Sequence, residues 1–213
     1  MAMDRPSADA ASLIRYSLRR SIHGLGAPLA GPLQREASVF NIIDLTQTLS
    51  AESMSYPGDV PAWTAERLDI GNPNATVSRF SGFEAHCGTH LDAPLHFAPQ
   101  GQDVATLPLR LFPALIVRID GPRIECTSIP AVCAGRAVLF STGWEDHAGN
   151  PEYYQDFPAF TRDAAQLLVD RSVALVGLDT PSADGPHEHP TYPAHEILCG
   201  AGVPIVEGLV NLR

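Results

Sequence analysis

Glu84-Ala-His86-Cys-Gly-Thr-His90-Leu-Asp92-Ala-Pro-Leu-His96-Phe97 is the stretch on which the reading of this chain turns. Three histidines and one aspartate fall within its eleven central residues. His86 and His90 are four apart, a spacing that on a helix aligns both rings on one face. The zinc proteases that use this spacing put Glu directly after the first His, and here that position is Cys87. Gly88 inside the turn and Pro94 beyond it also oppose a regular helix. The stretch therefore reads as a strand ending near His86, followed by a tight glycine-bearing loop. Neutral imidazoles with a carboxylate bind Zn2+ or Mn2+ and leave positions for water. Asp92, so close to two imidazoles, ligates one ion or bridges two. His96, six residues past His90, is a candidate base toward metal-activated water, because imidazole titrates near neutral pH. The bland alternative is three loop histidines satisfied by backbone hydrogen bonds, and the density of the group favours the metal.

Outward from this stretch the chain is β-rich. Val39–Leu45, Trp63–Ile70, Val77–Glu84, Pro113–Ile119, Ala137–Ser141 and Val173–Leu178 read as strands. Thr161 is a candidate N-cap for a helix over 162–170, and Ala194–Cys199 reads as a short helix ended by Gly200. The class is α/β, mixed and β-dominated. Residues 1–39 stand apart as an N-terminal arm, with a loose apolar stripe of Leu13, Ile14, Leu18 and Ile22. It is either a flexible extension or an arm packing on a partner subunit. Residues 40–213 form the main domain.

Composition narrows the function. The chain has 213 residues, 45% of them hydrophobic and 18% charged, which excludes general disorder. Its 24 acidic and 14 basic residues give a net charge of −10. A nucleic-acid binder needs a basic footprint, so nucleic acid and anionic membrane surfaces are not expected partners. All basic residues are arginine, which removes Schiff-base, pyridoxal-phosphate and P-loop lysine chemistry. No apolar run is long enough for a membrane span or a secretory signal. Cys87, Cys126, Cys133 and Cys199 form no CxxC pair and read as reduced thiols of a cytoplasmic protein. A bridge between Cys126 and Cys133 is the weaker reading.

His86–Phe97, HCGTHLDAPLHF, resembles the HxGTHxDxPxH signature of the metal-dependent cyclase family. Asp44-Leu45-Thr46-Gln47 and Tyr56-Pro57-Gly58-Asp59 resemble the family's early motifs, and Thr142-Gly143 its Thr-Gly pair. Gly177-Leu-Asp-Thr-Pro-Ser182-Ala-Asp184 and Ala194-His195 through Glu207 to Leu212 resemble its later ones. The resemblance covers about residues 40–213 in the family's order. It implies a compact single domain with a β-barrel-like central sheet and flanking helices, of the swivelling β/β/α type. It also implies a homo-oligomer, dimer or tetramer, with sites near subunit contacts. By the same resemblance His86, His90 and Asp92 hold a first metal. In the formamidase branch Asp92 bridges to a second metal, joined by a His and a Glu twelve residues apart, a spacing His195 and Glu207 have here. His96 is then the proton donor and acceptor, and Tyr56 occupies an aromatic place, commonly Trp, that lines the substrate pocket.

The expected activity is hydrolysis of a small amide with one or two Zn2+, or Mn2+. An arylformamidase converting N-formylkynurenine to kynurenine and formate leads. A cyclic-amide hydrolase of isatin type with one Mn2+ is the alternative within the family. A non-catalytic protein in which metal locks an oligomer is the alternative from another class, and His96 speaks against it. His187-Glu188-His189 reads as a solvated loop, His147 takes no role, and Cys87 packs. Ser182 and Asp184 make no serine hydrolase, since there is no G-x-S-x-G elbow. Asp59 and Ser182 support loops around the site, while Trp144 and Phe97 either wall an aromatic substrate or pack in the core.

Overall fold

The computed structural model describes residues 41–49, 64–72, 74–82, 84–186 and 190–213. The chain divides into two units, Met1–Ile42 and Ile43–Arg213, and the strands and helices of the described residues all lie in the second. The arm over 1–39, Tyr56 with the Pro57-Gly58-Asp59 turn, and His187-Glu188-His189 lie outside the described residues.

Strands β1 (Thr64–Leu68) and β2 (Val77–Ser81) form an antiparallel hairpin, paired from Thr64 opposite Ser81 to Leu68 opposite Val77. The main sheet has five strands: β3 (His90–Asp92), β4 (Ala114–Arg118), β6 (Ala137–Ser141), β8 (Leu175–Leu178) and β9 (Ile205–Glu207). A two-residue pair, β5 (Arg123–Ile124) with β7 (Ala159–Phe160), lies apart from it. The main sheet runs in the order β3-β9-β8-β6-β4, parallel except for the antiparallel edge strand β3.

β6 is buried along its whole length, as an interior parallel strand covered on both faces must be. Its two-residue period sorts its side chains between two cores. Val138 and Phe140 join Val176, Leu178 and Ile205 beneath helices α1 (Arg162–Asp170) and α2 (Pro193–Gly200). Ala137 and Leu139 pack on the other face with Leu209 and Leu212. α1 starts where Thr161 Oγ1 accepts the Ala164 amide at 3.3 Å, and it buries Ala164, Ala165 and Leu168.

Several expectations need correction. Residues 41–49 carry no regular strand, although the Val210 amide donates to the Leu45 carbonyl at 3.0 Å. Among the described residues no strand ends near His86: β2 stops at Ser81, residues 85–89 turn, and β3 begins at His90. The turn centres on Gly88 at φ +65, a left-handed conformation natural to glycine. α2 includes Gly200. Its stop is Gly202 at φ +79, where the Val203 and Gly202 amides close on Leu198 and Cys199 carbonyls. The sheet is mixed and dominates the domain, but no closed sheet is found among the described residues, and β3 and β4 are its open edges. None of the four cysteines forms a disulfide. Among the described residues no helix is long and apolar enough to cross a membrane.

Candidate metal centre

The site is built from two strands, one turn and the start of a helix. His90 and Asp92 stand two apart on β3, so strand alternation places both on one face. Glu207 lies directly opposite His90 across the β3–β9 ladder. α2 places His195 in its first turns, and the turn before β3 brings in His86.

These five side chains converge. His86 Nδ1 lies 2.9 Å from His90 Nε2 and 3.3 Å from Asp92 Oδ1. His90 Nε2 is 3.6 Å from Asp92 Oδ1 and 3.4 Å from Glu207 Oε2. On the other side, His195 Nε2 is 3.3 Å from Asp92 Oδ2 and 3.2 Å from Glu207 Oε1. Each carboxylate thus divides its two oxygens between His90 and His195.

The supporting bonds decide what these atoms can do. His90 Nδ1 faces the Gly88 carbonyl at 3.1 Å, which only accepts, so Nδ1 carries the hydrogen and Nε2 is a bare lone pair. His195 Nδ1 faces Asp184 Oδ2 at 2.7 Å, with the same result for its Nε2. Bare nitrogens therefore confront carboxylate oxygens, and Asp92 and Glu207 are only 4% and 2% exposed. Acceptors buried against acceptors require a shared cation, either protons or a metal. When protons take that role, burial of His90 opposes its charge, but the hydrogen bond and charge of Glu207, with Asp92, raise its pKa to about 9. His195 follows the same pattern: burial opposes its charge, and bonds to Asp184, Asp92 and Glu207 lift its pKa well above the usual value. Burial pushes Glu207 up, but His195 and His90 hold it well below the usual carboxylate range. A divalent ion would displace those protons. The donors are imidazole nitrogen and carboxylate oxygen, with no thiolate, and the set fits Zn2+ or Mn2+.

Surrounding groups fix this arrangement. Asp184, fully buried, accepts the Ala194 and His195 amides at 2.7 and 3.0 Å as well as His195 Nδ1, so one carboxylate caps α2 and orients its imidazole. Glu207 Oε1 accepts the Ala183 amide at 2.7 Å. Gln47 Nε2 donates to the Gly208 carbonyl at 2.9 Å, and its own amide donates to Thr89 Oγ1 at 2.9 Å, tying the early motif to the turn before β3. Glu84 Oε1 accepts the His86 amide at 2.6 Å, and Glu84 Oε2 is buried with no hydrogen-bond partner among the described residues.

A cavity of about 280 Å3 opens beside these groups, bordered by Glu84, His96, Phe97, Ser182 and Tyr192 among others. His96 sits on a single 3-10 turn over Pro94–His96, its ring 4.7 Å from His86 and 5.9 Å from His195 between centroids. Burial lowers its pKa, with Asp92 opposing, which keeps the imidazole neutral. His96, His86 and Asp92 also form a group compact enough to share an ion, so His96 stands within ligand reach as well as proton-transfer reach. Phe97 borders the cavity, whereas Trp144 stacks on His147 and donates to the Tyr153 carbonyl at 2.8 Å, away from the described lining. Cys87 is buried, and no ion-sharing group among the described residues includes it. Ser182 borders the cavity, its hydroxyl accepting the Asp184 amide at 3.3 Å. The sequence gives no role to Asp184, Glu84, Gln47 or Tyr192. Only the motif around Ser182 and the Asp44–Gln47 motif carry a signal that could have found Asp184 and Gln47.

The family model described as Putative cyclase matches residues 43–185. A kynurenine formamidase of Salinibacter ruber (strain DSM 13855 / M31) is 35% identical over 179 residues, 79% of this chain and 82% of that protein. Isatin hydrolase A from Labrenzia aggregata, solved with benzyl benzoate bound, superposes with a TM-score of 0.68 at 25% identity, covering 80% of each chain. A predicted metal-dependent hydrolase from Bacillus stearothermophilus superposes with a TM-score of 0.65 at 28% identity, covering 78% of this chain and 81% of that one.

Proposed function

The chain belongs to the cyclase family, and on that footing we propose that it is a metal-dependent hydrolase of a small aryl amide, with N-formylkynurenine as substrate and kynurenine and formate as products. One observation supports this above the others: His86, His90, Asp92, His195 and Glu207 bring imidazole nitrogens and carboxylate oxygens to a common centre. His86, His90 and Asp92 would hold one ion, and Asp92, His195 and Glu207 a second. When bound, such an ion lowers the pKa of a ligated water from 15.7 toward about 7 and polarises a carbonyl oxygen.

The chain's own residues do the rest. Neutral His96 accepts the proton of the attacking water on a ring nitrogen and passes it to the departing amide nitrogen, a role worth typically about 10²–10⁴-fold. The carbonyl C–N bond breaks, the water oxygen joins the formyl carbon, and the amine leaves protonated at nitrogen. Asp184 keeps His195 in one tautomer throughout. Tyr56, outside the described residues, is assigned to the substrate pocket on the family resemblance alone. We assign the protein to the cytoplasm as a homo-oligomer acting on a small molecule, without nucleic-acid or membrane partners. The wholly exposed Leu109 and Leu111 are consistent with a subunit contact.

Likeness to isatin hydrolase A favours a second reading, opening of a cyclic aryl amide; the single Mn2+ of that reading comes from the family resemblance alone. The test is hydrolysis of N-formylkynurenine and isatin by protein titrated with Zn2+ or Mn2+, alongside Asp92→Ala and His96→Ala. Asp92→Ala is expected to lose both metal and turnover. His96→Ala is expected to keep its metal and lose about 10²–10⁴ in turnover. Metal-loaded wild type that turns over neither compound would sink the proposal.

A further inference from the structure

The cavity lining has two characters. His86, Asp92, His195 and Glu207 bring charge and lone pairs, while Phe97 and Tyr192 bring two aromatic rings. Phe97 is held in place. Its ring leans on His195 at 4.8 Å and 31°, and stands edge-on to His96 at 4.7 Å. Tyr192 meets Phe97 at 5.6 Å and 64°, and His195 at 6.2 Å and 88°.

The backbone of Tyr192 is the unusual part. It sits at the N-cap of α2 with φ 40° and ψ 56°, in the left-handed region that a bulky side chain disfavours. It also precedes Pro193, and a residue before proline is pushed toward extended conformations. A helix start serving stability alone would carry Ser, Thr, Asp, Asn or Gly there. Tyr192 gives the helix no side-chain cap, and Asp184 does that work from a distant segment. Strain kept at a cavity wall and not relieved by a better-suited residue points to a role for the side chain.

We propose that Tyr192 is a specificity-determining residue, its ring forming with Phe97 an aryl-binding subsite beside the metal centre. The subsite takes a planar aromatic ring whose amide carbon lies toward His96 and Asp92. Offset and edge-to-face contacts with two rings favour an aryl amide over an alkyl amide of equal size. This assignment rests on the amide-hydrolase reading above for its substrate, but not for its binding.

The test uses the full chain with Tyr192→Phe, Tyr192→Ala and Tyr192→Gly. Binding of 2-aminoacetophenone, an aryl ketone, is measured calorimetrically on metal-free protein. The metal-loaded enzyme is assayed on N-formylkynurenine and N-butylformamide. Melting temperature and metal content are followed for every variant, and Tyr192→Gly, which relieves the left-handed strain, supplies a folded variant if Tyr192→Ala is unstable. Tyr192→Phe should bind the probe within about twofold of wild type. Tyr192→Ala and Tyr192→Gly should bind it about tenfold more weakly, a loss within the range of aromatic contacts plus buried area. Their kcat/KM for N-formylkynurenine should fall about tenfold relative to that for N-butylformamide. Folded Tyr192→Ala or Tyr192→Gly protein that binds the probe as wild type does would overturn the subsite. Binding that depends on Tyr192 in a protein that hydrolyses no amide would uphold the subsite and remove the proposed activity instead.

Discussion

Asp184 spends both carboxylate oxygens on α2 and its histidine, with contacts of 2.7 to 3.0 Å. An amide in its place keeps the shape but can offer the His195 Nδ1 hydrogen a poorer acceptor. Groups that orient a ligating imidazole typically contribute about 10–100-fold to metal affinity. Asp184→Asn should therefore weaken metal binding by about that factor in a chelator competition while the protein stays folded; an unchanged affinity would leave Asp184 a helix cap only. Residues of this kind are hard to read from a sequence. An aspartate's chemistry depends on which amides face it, and the Ala194 and His195 amides reach Asp184 only after a ten-residue excursion. His86, His90 and Asp92 are legible because all lie within seven residues.

At the scale of elements, the β3–β9 ladder sets the site, and glycine makes it possible. Gly208 has φ +68, and a Cβ there would lie 2.6 Å from the Gly88 carbonyl oxygen. That neighbour is backbone and cannot swing away. Gly208→Ala should cost roughly 1–3 kcal/mol in denaturant unfolding and weaken metal binding as His90 and Glu207 lose register. Thr161→Ala removes the α1 cap, whose hydroxyl bonds only Ala164 and Ile124 among the described residues, and should cost about 1 kcal/mol and leave metal affinity untouched. If the two variants affect the metal alike, the ladder does not position the ligands. β6 is readable from its unbroken apolar run, Ala137 to Phe140. β3 is not, because it has three residues, its polar members face inward and its apolar Leu91 is exposed. That inverts the pattern by which strands are recognised. The strand expected over Val39–Leu45 is the opposite error where the chain is described, over 41–45, an apolar run in which Ile42 and Ile43 are exposed.

Over the whole molecule, a large apolar core stands beside the candidate metal centre. Val138, Phe140, Leu168, Val176, Leu198 and Ile205 are buried in one cluster, and Phe97 links that cluster to His195. Stripping metal should therefore leave a protein that still melts cooperatively, with a Tm lowered by the lost binding energy and restored on adding the ion back. A chain that collapses or falls apart into unfolded subunits on chelation would instead mark the ion as structural. Leu168→Ala, in contrast, should destabilise the metal-free and metal-bound protein equally, by about 2–5 kcal/mol. In the proposed enzyme His86, His90 and Asp92, together with His195 and Glu207, enclose at least one divalent cation. Anomalous scattering from crystals of metal-loaded protein, collected above and below the zinc and manganese edges, tests it most directly. We predict a peak among His86, His90 and Asp92, and a second beside His195 and Glu207 if the site is binuclear. Protein prepared in excess metal that shows no peak at any of these side chains would contradict it.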